Sequence, residues 1–318
     1  MRIAFTSCLS AQLFPNQPVW EEIGAHNPDV LVLLGDSIYL DVGGPYNTAA
    51  IQELDASVFG PHAHARFSEL LNQPNFKALV QRPALSTYAI WDDHDFLWND
   101  ACGADEMHHP RRRELAYQSR AMFAAFRKAL ALRLAAGSFP STPPIGTSAT
   151  PAPGHSVVAL GQKVFLHLTD GRSFKERRGS AALLGMSQLD AIEASMAAAP
   201  PQSTHLIASG VVFEARHGET WLDCAAEHGR MLELANQYNI LILSGDIHDN
   251  NLATYRMNTG RNLFEATSSG AALRTAVVFG SKQRNYGLLT IDDASVKIDL
   301  FKSSVRQYQG TLDRATWQ

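Results

Sequence analysis

Acidic, histidine and cysteine residues of this sequence concentrate in four short segments, each directly after an apolar run. The segments are Ser7-Cys8, GDSIYLD (Gly35–Asp41), WDDHDFLWND (Trp91–Asp100) and SGDIHDNN (Ser244–Asn251). The preceding runs are typical of buried strands, and the carboxyl ends of parallel strands meet at one edge of a sheet. Carboxylates gathered there would repel one another by several kcal/mol unless cations neutralise them. The segments therefore predict a site for more than one metal ion.

Alternating strand and helix patterns must position these segments. The predicted strands are Ile3–Ser7, Asp29–Leu34, Ala84–Trp91, Ser156–Leu160, Lys163–Thr169, Thr204–Ser209 and Ile240–Ser244. The predicted helices are Val19–His26, Thr48–Leu71, Arg111–Ala136, Ser187–Ala199 and Thr220–Tyr238. Antiparallel strands are predicted at Asn262–Thr267, Tyr286–Asp292, Val296–Phe301 and Ser304–Gln309. This order predicts an α/β (α+β) fold in which helices surround layered sheets.

Composition excludes several classes of protein. With 318 residues, of which 45% are hydrophobic and 18% charged, the chain can bury a large core and is not predominantly disordered. The net charge of −4 argues against a specific nucleic-acid surface. No apolar run approaches the roughly 18 residues of a membrane span. Three cysteines are too few for a disulfide framework.

The N-terminal sequence MRIAFTSC is typical of a core strand, with no visible signal peptide. We therefore expect a cytoplasmic protein, although a processed secreted or periplasmic chain could begin in the same way. The oligomeric state is left open. The segment Gly137–Gly154, rich in Pro, Ser and Thr, is predicted to be a surface loop.

The motifs SC, GDSIY, WDDHDxxxND and SGDIH together resemble the PhoD-like (alkaline phosphatase D) branch of the calcineurin-type metallophosphoesterases. The motifs follow the family's order, and the resemblance runs from the first strand to the terminal hairpins. It implies a four-layer αββα sandwich, with two mixed sheets flanked by helices. It also implies one catalytic domain over residues 1–318, without the N-terminal immunoglobulin-like domain of some members.

The resemblance implies a site with ferric iron and calcium, binuclear or larger, with Zn²⁺, Mn²⁺ or Mg²⁺ as substitutes. Asp36 matches the carboxylate that bridges two metals. Cys8 and Tyr39 match the thiolate and phenolate that bind iron in this branch. Both anionic ligands suit a trivalent ion, because they lower its net charge.

Further matches concern the second metal and the leaving group. Asp93 matches a ligand of the second metal, and His94 matches the histidine that acts on the leaving group. Asp246 and His248 match the two histidines of the superfamily's Gly-His-x-His motif, and an aspartate in the first position favours calcium over zinc. The segment TDGRSF resembles an Asp-x-Arg segment of the family, so Arg172 either contacts the phosphate or lies in a structural ion pair.

Some positions stay unassigned. Asp92, Asp95 and Asn99 are candidates for further ligands or for residues that orient the ligands. Asp95 or a backbone carbonyl is expected to orient the His94 ring. The ligand histidine that the superfamily usually carries between the third and fourth segments is missing. Either Ser209 or a backbone carbonyl replaces it, or one metal site is more open.

The function implied is metal-dependent hydrolysis of a small-molecule phosphoester, as a phosphodiesterase, an alkaline phosphomonoesterase or both. A metal-activated water attacks phosphorus, with Asp36, His94 and Arg172 as the catalytic set. No GxSxG nucleophile motif is present, so no phosphoserine intermediate is expected. The alternatives are a phospholipase D-like phosphodiesterase acting on lipid head groups, and a non-hydrolytic metal-binding or non-haem iron protein.

Overall fold

The computed structural model describes residues 1–177, 182–214, 218–257, 259–274 and 282–318. The first of two sheets contains β1 (Arg2–Thr6), β2 (Val30–Leu34), β3 (Ser86–Ile90), β12 (Asn285–Ile291), β13 (Ser295–Lys302) and β14 (Val305–Asp313). Its strand order is β14-β13-β12-β1-β2-β3. Strands β1, β2 and β3 run parallel, so their carboxyl ends share one edge, whereas β12 pairs antiparallel with β1.

The second sheet has the order β4-β5-β6-β7-β9-β8. Its strands are β4 (Ser156–Gly161), β5 (Val164–Leu168), β6 (Thr204–Ser209), β7 (Asn239–Ser244), β8 (Asn250–Arg256) and β9 (Asn262–Ser268). A short antiparallel pair, β10 (Leu273–Arg274) and β11 (Lys282–Gln283), lies outside both sheets. Because β5, β6, β7 and β9 run parallel, this sheet also gathers several carboxyl ends at one edge.

Helices cover the outer face of each sheet. They are α1 (Val19–Ala25), α2 (Thr48–Gln52), α3 (Ala56–Leu71), α4 (Pro74–Val80), α5 (Asp93–Phe96), α6 (Gly103–His108), α7 (Arg112–Ala131), α8 (Met186–Ala198) and α9 (Ala225–Ala235), with a 3₁₀ turn at Trp221–Asp223. None of the helices in the described part of the chain combines the length and apolar character that crossing a bilayer requires.

Apolar side chains divide the molecule into four layers. Alternate residues of the strands, such as Phe5 and Leu241, pack between the two sheets. The opposite face of the first sheet packs against helical residues such as Phe126, and that of the second sheet against residues such as Met231. All five residues of β2 are buried because the sheet is covered on both sides. The predicted αββα architecture of two mixed sheets flanked by helices is therefore confirmed.

The structure corrects some predicted elements. The region predicted as one helix over Thr48–Leu71 forms two helices, α2 and α3. The helix predicted over Thr220–Tyr238 is shorter and follows the 3₁₀ turn. Strand β9, expected in an antiparallel tail, pairs parallel with β7, and its antiparallel partner is the unpredicted strand β8. The segment Gly137–Gly154 contains neither helix nor strand.

Candidate functional site

The predicted polar segments meet where the carboxyl ends of the two sheets face each other. The Gly270 N–H donates to the carbonyl of Ser7 at 3.1 Å, which connects the loop after β9 to the loop after β1. Within the second sheet, the Gly245 N–H donates to the carbonyl of Gly210 at 3.1 Å, connecting the loops after β7 and β6. Loops from both sheets therefore form one continuous rim.

A thiol, a phenol, an imidazole and a carboxyl group converge at this rim. The Asp36 carboxyl oxygen Oδ2 lies 3.3 Å from both the Cys8 Sγ and the Tyr39 hydroxyl. The Tyr39 hydroxyl also lies 3.2 Å from Nε2 of His248. The structure thus brings together four of the six residues predicted to bind metal.

The remaining predicted ligands complete two further groups around Asp36. One consists of Asp36, Asp93 and His94, and the other of Asp36, Asp92 and Asp246; in each group the candidate ligand atoms lie within 4.8 Å of one another. Among the described residues, the buried atoms Asp36 Oδ1 and Asp92 Oδ2 have no hydrogen-bond partner. Unpaired buried carboxyl oxygens are costly without a cation, so this donor set fits metal ions.

Electrostatics support the same interpretation. Burial, together with the neighbouring Cys8 thiol, raises the pKa of Asp36 well above its ordinary value. Burial, and next the Asp92 carboxyl, raises the pKa of Asp246 to about 7. Burial raises the pKa of Cys8 to about 11. The raised pKa values of Asp36, Asp246 and Cys8 disfavour their anionic forms, and bound cations would instead favour those anionic forms.

The backbone is strained at four of the six predicted ligands. Cys8, Asp36, Asp246 and His248 have φ values of 60°, 49°, 68° and 55°, in the left-handed region that non-glycine residues rarely adopt. Such conformations persist where the surrounding structure imposes them, and they cluster at functional sites.

The imidazole of His94 is held by a residue that the sequence did not single out. Its Nδ1 lies 2.5 Å from Oδ1 of Asp41. The other oxygen of this carboxylate, Oδ2, accepts bonds from the Thr48 hydroxyl and the Asn99 N–H. Although burial alone would lower it, nearby carboxylates raise the pKa of His94 to about 10. The ring is therefore fixed through Nδ1.

The group that holds Nδ1 of His94 is thus Asp41, and not Asp95 or a backbone carbonyl, the two alternatives expected from the sequence. Asp95 accepts bonds from the Ile38 N–H at 3.0 Å and from the Asp92 N–H at 3.1 Å. It therefore connects the loops after β2 and β3. The Ser209 hydroxyl donates to the Val211 carbonyl at 2.6 Å and lies outside the ligand groups.

Arg172 lies in an ion pair, which was one of its two predicted alternatives. Its side chain is wholly buried, with Nε 2.5 Å from Oδ1 of Asp92 and Nη1 2.6 Å from Oε2 of Glu219. Glu219 also pairs with Lys175. A Cβ at Gly210 would lie 2.5 Å from Oδ1 of Asp92, so the absence of a side chain there leaves room for the carboxylate.

Sequence reasoning missed several residues of the candidate site besides Asp41. Glu219 joins Asp93 and Asp100 in a fourth group of candidate ligands, and no motif marks it. The Ser269 hydroxyl accepts a bond from the His248 N–H at 2.9 Å and donates to the Cys8 Sγ at 3.2 Å. Its position in a Ser-Ser-Gly segment after β9 gave no sequence signal.

Solved structures share the architecture of this chain. The structure of PhoD is similar to this chain with a TM-score of 0.68 and 16% identity, covering 99% of this chain and 70% of that one. A dimetal phosphatase from Danio rerio is similar with a TM-score of 0.53 and 10% identity, covering 99% of both chains. The fold is thus that of the metallophosphoesterases. No curated protein matches the chain.

The family model of the PhoD-like phosphatases matches residues 3–284. The chain belongs to this family, and the resemblance found in its motifs is confirmed. It is a phosphoric ester hydrolase that uses a metal cofactor and acts on a small-molecule substrate.

Proposed function

We propose that this protein hydrolyses phosphomonoesters, phosphodiesters or both at a site that holds ferric iron and calcium. The observation that carries the proposal is the position of Asp36. Its carboxyl group belongs to three candidate ligand groups, and its Oδ1 is buried without a hydrogen-bond partner in the described part of the chain. A bridging carboxylate between two metal ions would account for both facts.

The donor types divide the site into two halves. Cys8, Tyr39 and His248, with one oxygen of Asp36, would hold the ferric ion, because thiolate and phenolate reduce the charge of a trivalent cation. Hard carboxylate oxygens surround the other side of Asp36, which suits calcium. Zn²⁺, Mn²⁺ or Mg²⁺ are the substitutes to test.

The oxygen-rich half consists of Asp93 and Asp246, which the motifs predicted, and of Asp92, which they left unassigned. Asp92 joins this half because its Oδ2 is buried and unpartnered among the described residues, while its Oδ1 is held by Arg172. Arg172 is therefore proposed as a positioning residue for a ligand. Its wholly buried side chain has no surface to offer a phosphate.

Bound metal ions supply Lewis-acid stabilisation of the phosphoryl oxygens and lower the pKa of the attacking water. The chain's own contribution to the leaving group comes from His94. Since its Nδ1 is engaged by Asp41, Nε2 is the atom that holds a proton for the departing alkoxide. The contact with Asp41 keeps the ring oriented and stabilises its protonated form.

The test is hydrolysis of a panel of monoesters and diesters, measured as release of phosphate from the monoesters and of the alcohol from the diesters, by protein of measured metal content. Chelation should abolish activity, and calcium together with ferric iron should restore it. Full activity in protein shown by elemental analysis to be metal-free would refute the metal-dependent mechanism. Metal-loaded protein that hydrolyses none of the monoesters or diesters would favour the non-hydrolytic alternative.

A further inference from the structure

A pocket of about 550 Å³ opens beside the ligand groups, and the function proposed above does not use it. We call it the side pocket and define it by Trp98, Asp100, Cys102, Leu183, Val211 and Glu219. Asp100 and Glu219 form a candidate ligand group with Asp93, so the side pocket directly adjoins the proposed metal site. Its volume lies in the range of small-molecule sites.

Apolar groups dominate the deep wall of the side pocket. Leu183 and Val211 belong to the core between the second sheet and its helices, and Trp98 and Cys102 lie between α5 and α6, in the segment that follows β3. All four side chains are less than one-tenth exposed. A ligand portion that enters here exchanges water for apolar contacts, which favours hydrocarbon over charged groups.

Among the described residues that line the side pocket, carboxylates outnumber cations at its mouth. The two described cations there face carboxylates: Lys175 pairs with Glu219, and Arg177 Nε lies 2.8 Å from Oδ2 of Asp105. By contrast, the mouth carboxylates Glu176 and Asp223 form no ion pair with any described residue. An anionic ligand portion would therefore be repelled.

We propose that the side pocket binds the leaving alcohol of the phosphoester and selects alcohols that are apolar and uncharged. This inference rests on the proposed function, because the phosphate must sit at the metal site for the alcohol to reach the side pocket. Esters whose leaving group carries a second anionic group, such as a carboxylate, are disfavoured by Glu176 and Asp223.

Three esters with similarly basic leaving alcohols test the proposal with metal-loaded protein: ethyl phosphate, hexyl phosphate and the phosphate ester of 6-hydroxyhexanoate. Burying one further methylene group of the alcohol can raise kcat/KM by up to about fourfold. We therefore expect kcat/KM for hexyl phosphate to exceed that for ethyl phosphate at least tenfold. In a water-like dielectric, one protein carboxylate about 6 Å from the carboxylate of the ligand lowers kcat/KM roughly threefold. Two such carboxylates should therefore lower kcat/KM for the hydroxyhexanoate ester about tenfold relative to the hexyl ester.

Two variants assign these effects to the side pocket. The double variant Glu176→Gln/Asp223→Asn should reduce the preference for the hexyl over the hydroxyhexanoate ester by about tenfold. Val211→Thr, which places a hydroxyl in the apolar wall, should reduce the preference for hexyl over ethyl phosphate. Asp190→Asn, an exposed carboxylate of α8 outside the side pocket, is the matched control and should change neither ratio.

The outcomes separate the two proposals. No hydrolysis by metal-loaded protein of any of these three esters or of any monoester or diester in the panel would overturn the proposed function. Release from all three esters with equal kcat/KM would overturn the leaving-alcohol subsite and leave hydrolysis standing. Ratios that the double variant and Val211→Thr leave unchanged would show that the preference arises elsewhere, which also overturns the proposal.

Discussion

Three histidines form a hydrogen-bonded chain along the second sheet: two lie in β5 and β6, and the third directly precedes β4. His155 Nε2 lies 3.1 Å from His167 Nδ1, and His167 Nε2 lies 3.0 Å from His205 Nδ1. Each contact needs one donor and one acceptor nitrogen, so two neighbouring rings of the chain cannot both be protonated. Burial lowers the pKa of His167 to about 3 and that of His205 to about 4.

This arrangement makes stability fall with acid. In the unfolded chain a histidine has a pKa of about 6.5. Below that pH the histidines of the unfolded state bind protons, whereas the buried histidines of the folded state do not. Stability is therefore lost as pH falls from about 6.5 towards the folded values. Between pH 7 and pH 5, His167 and His205 should each lower the free energy of unfolding by about 2 kcal/mol. The combined loss of about 4 kcal/mol is large against a typical total of about 5–15 kcal/mol.

The assay is urea denaturation of the wild type and of His167→Gln/His205→Gln at pH 7 and pH 5. The double variant should lose about 4 kcal/mol less than the wild type over this interval, whatever its stability at pH 7. Comparing the two proteins cancels the titration of groups they share. His108→Gln, at an exposed position, is the control and should behave as the wild type. Equal pH dependence in the wild type and the double variant would refute the reasoning.

Three further predictions concern the site. Thiolate and phenolate bound to ferric iron absorb visible light, so concentrated native protein should be coloured and Cys8→Ser or Tyr39→Phe should weaken or shift the band; a colourless protein holding only zinc or calcium would contradict this. His94→Ala should lose about 10²–10⁴ in rate on alkyl esters but much less on nitrophenyl esters, at nearly unchanged metal content; an equal loss on both in metal-loaded protein would remove the general-acid role. Arg172→Met should lower the free energy of unfolding of the metal-free protein by about 3–5 kcal/mol in urea denaturation, because it leaves Asp92 buried without its cation; a loss below about 1 kcal/mol would show that the ion pair is not needed.

Local sequence patterns were enough to locate the strands that carry the ligand segments. The apolar run of β2 and the polar residues after it are neighbours in the chain, so their relation is visible in the sequence. Contacts between segments that are distant in the chain are not visible in the sequence. Asp41 and His94 lie 53 positions apart, and Asp92 and Arg172 lie 80 apart. Only the packing of the two sheets brings these pairs together.

The direction of strand pairing could not be predicted from the sequence either. An apolar strand such as β9 has the same residue pattern whether its neighbour is parallel or antiparallel, because the side chains alternate in both cases. The structure places β9 between β7 and β8, with one neighbour of each kind. That position brings the following Ser269 against Cys8, a contact that no local pattern specifies.

The strained residues connect the chemistry of the site to the stability of the fold. Cys8 and Asp36 belong to loops of the first sheet, and Asp246 and His248 to a loop of the second. Each left-handed conformation costs about 1–3 kcal/mol, which contacts elsewhere must offset. A ligand that binds only the folded state adds stability that grows with its concentration relative to Kd. Metal ions held by these three loops would therefore stabilise the strained conformations and join the two sheets at the edge where we propose that the substrate binds.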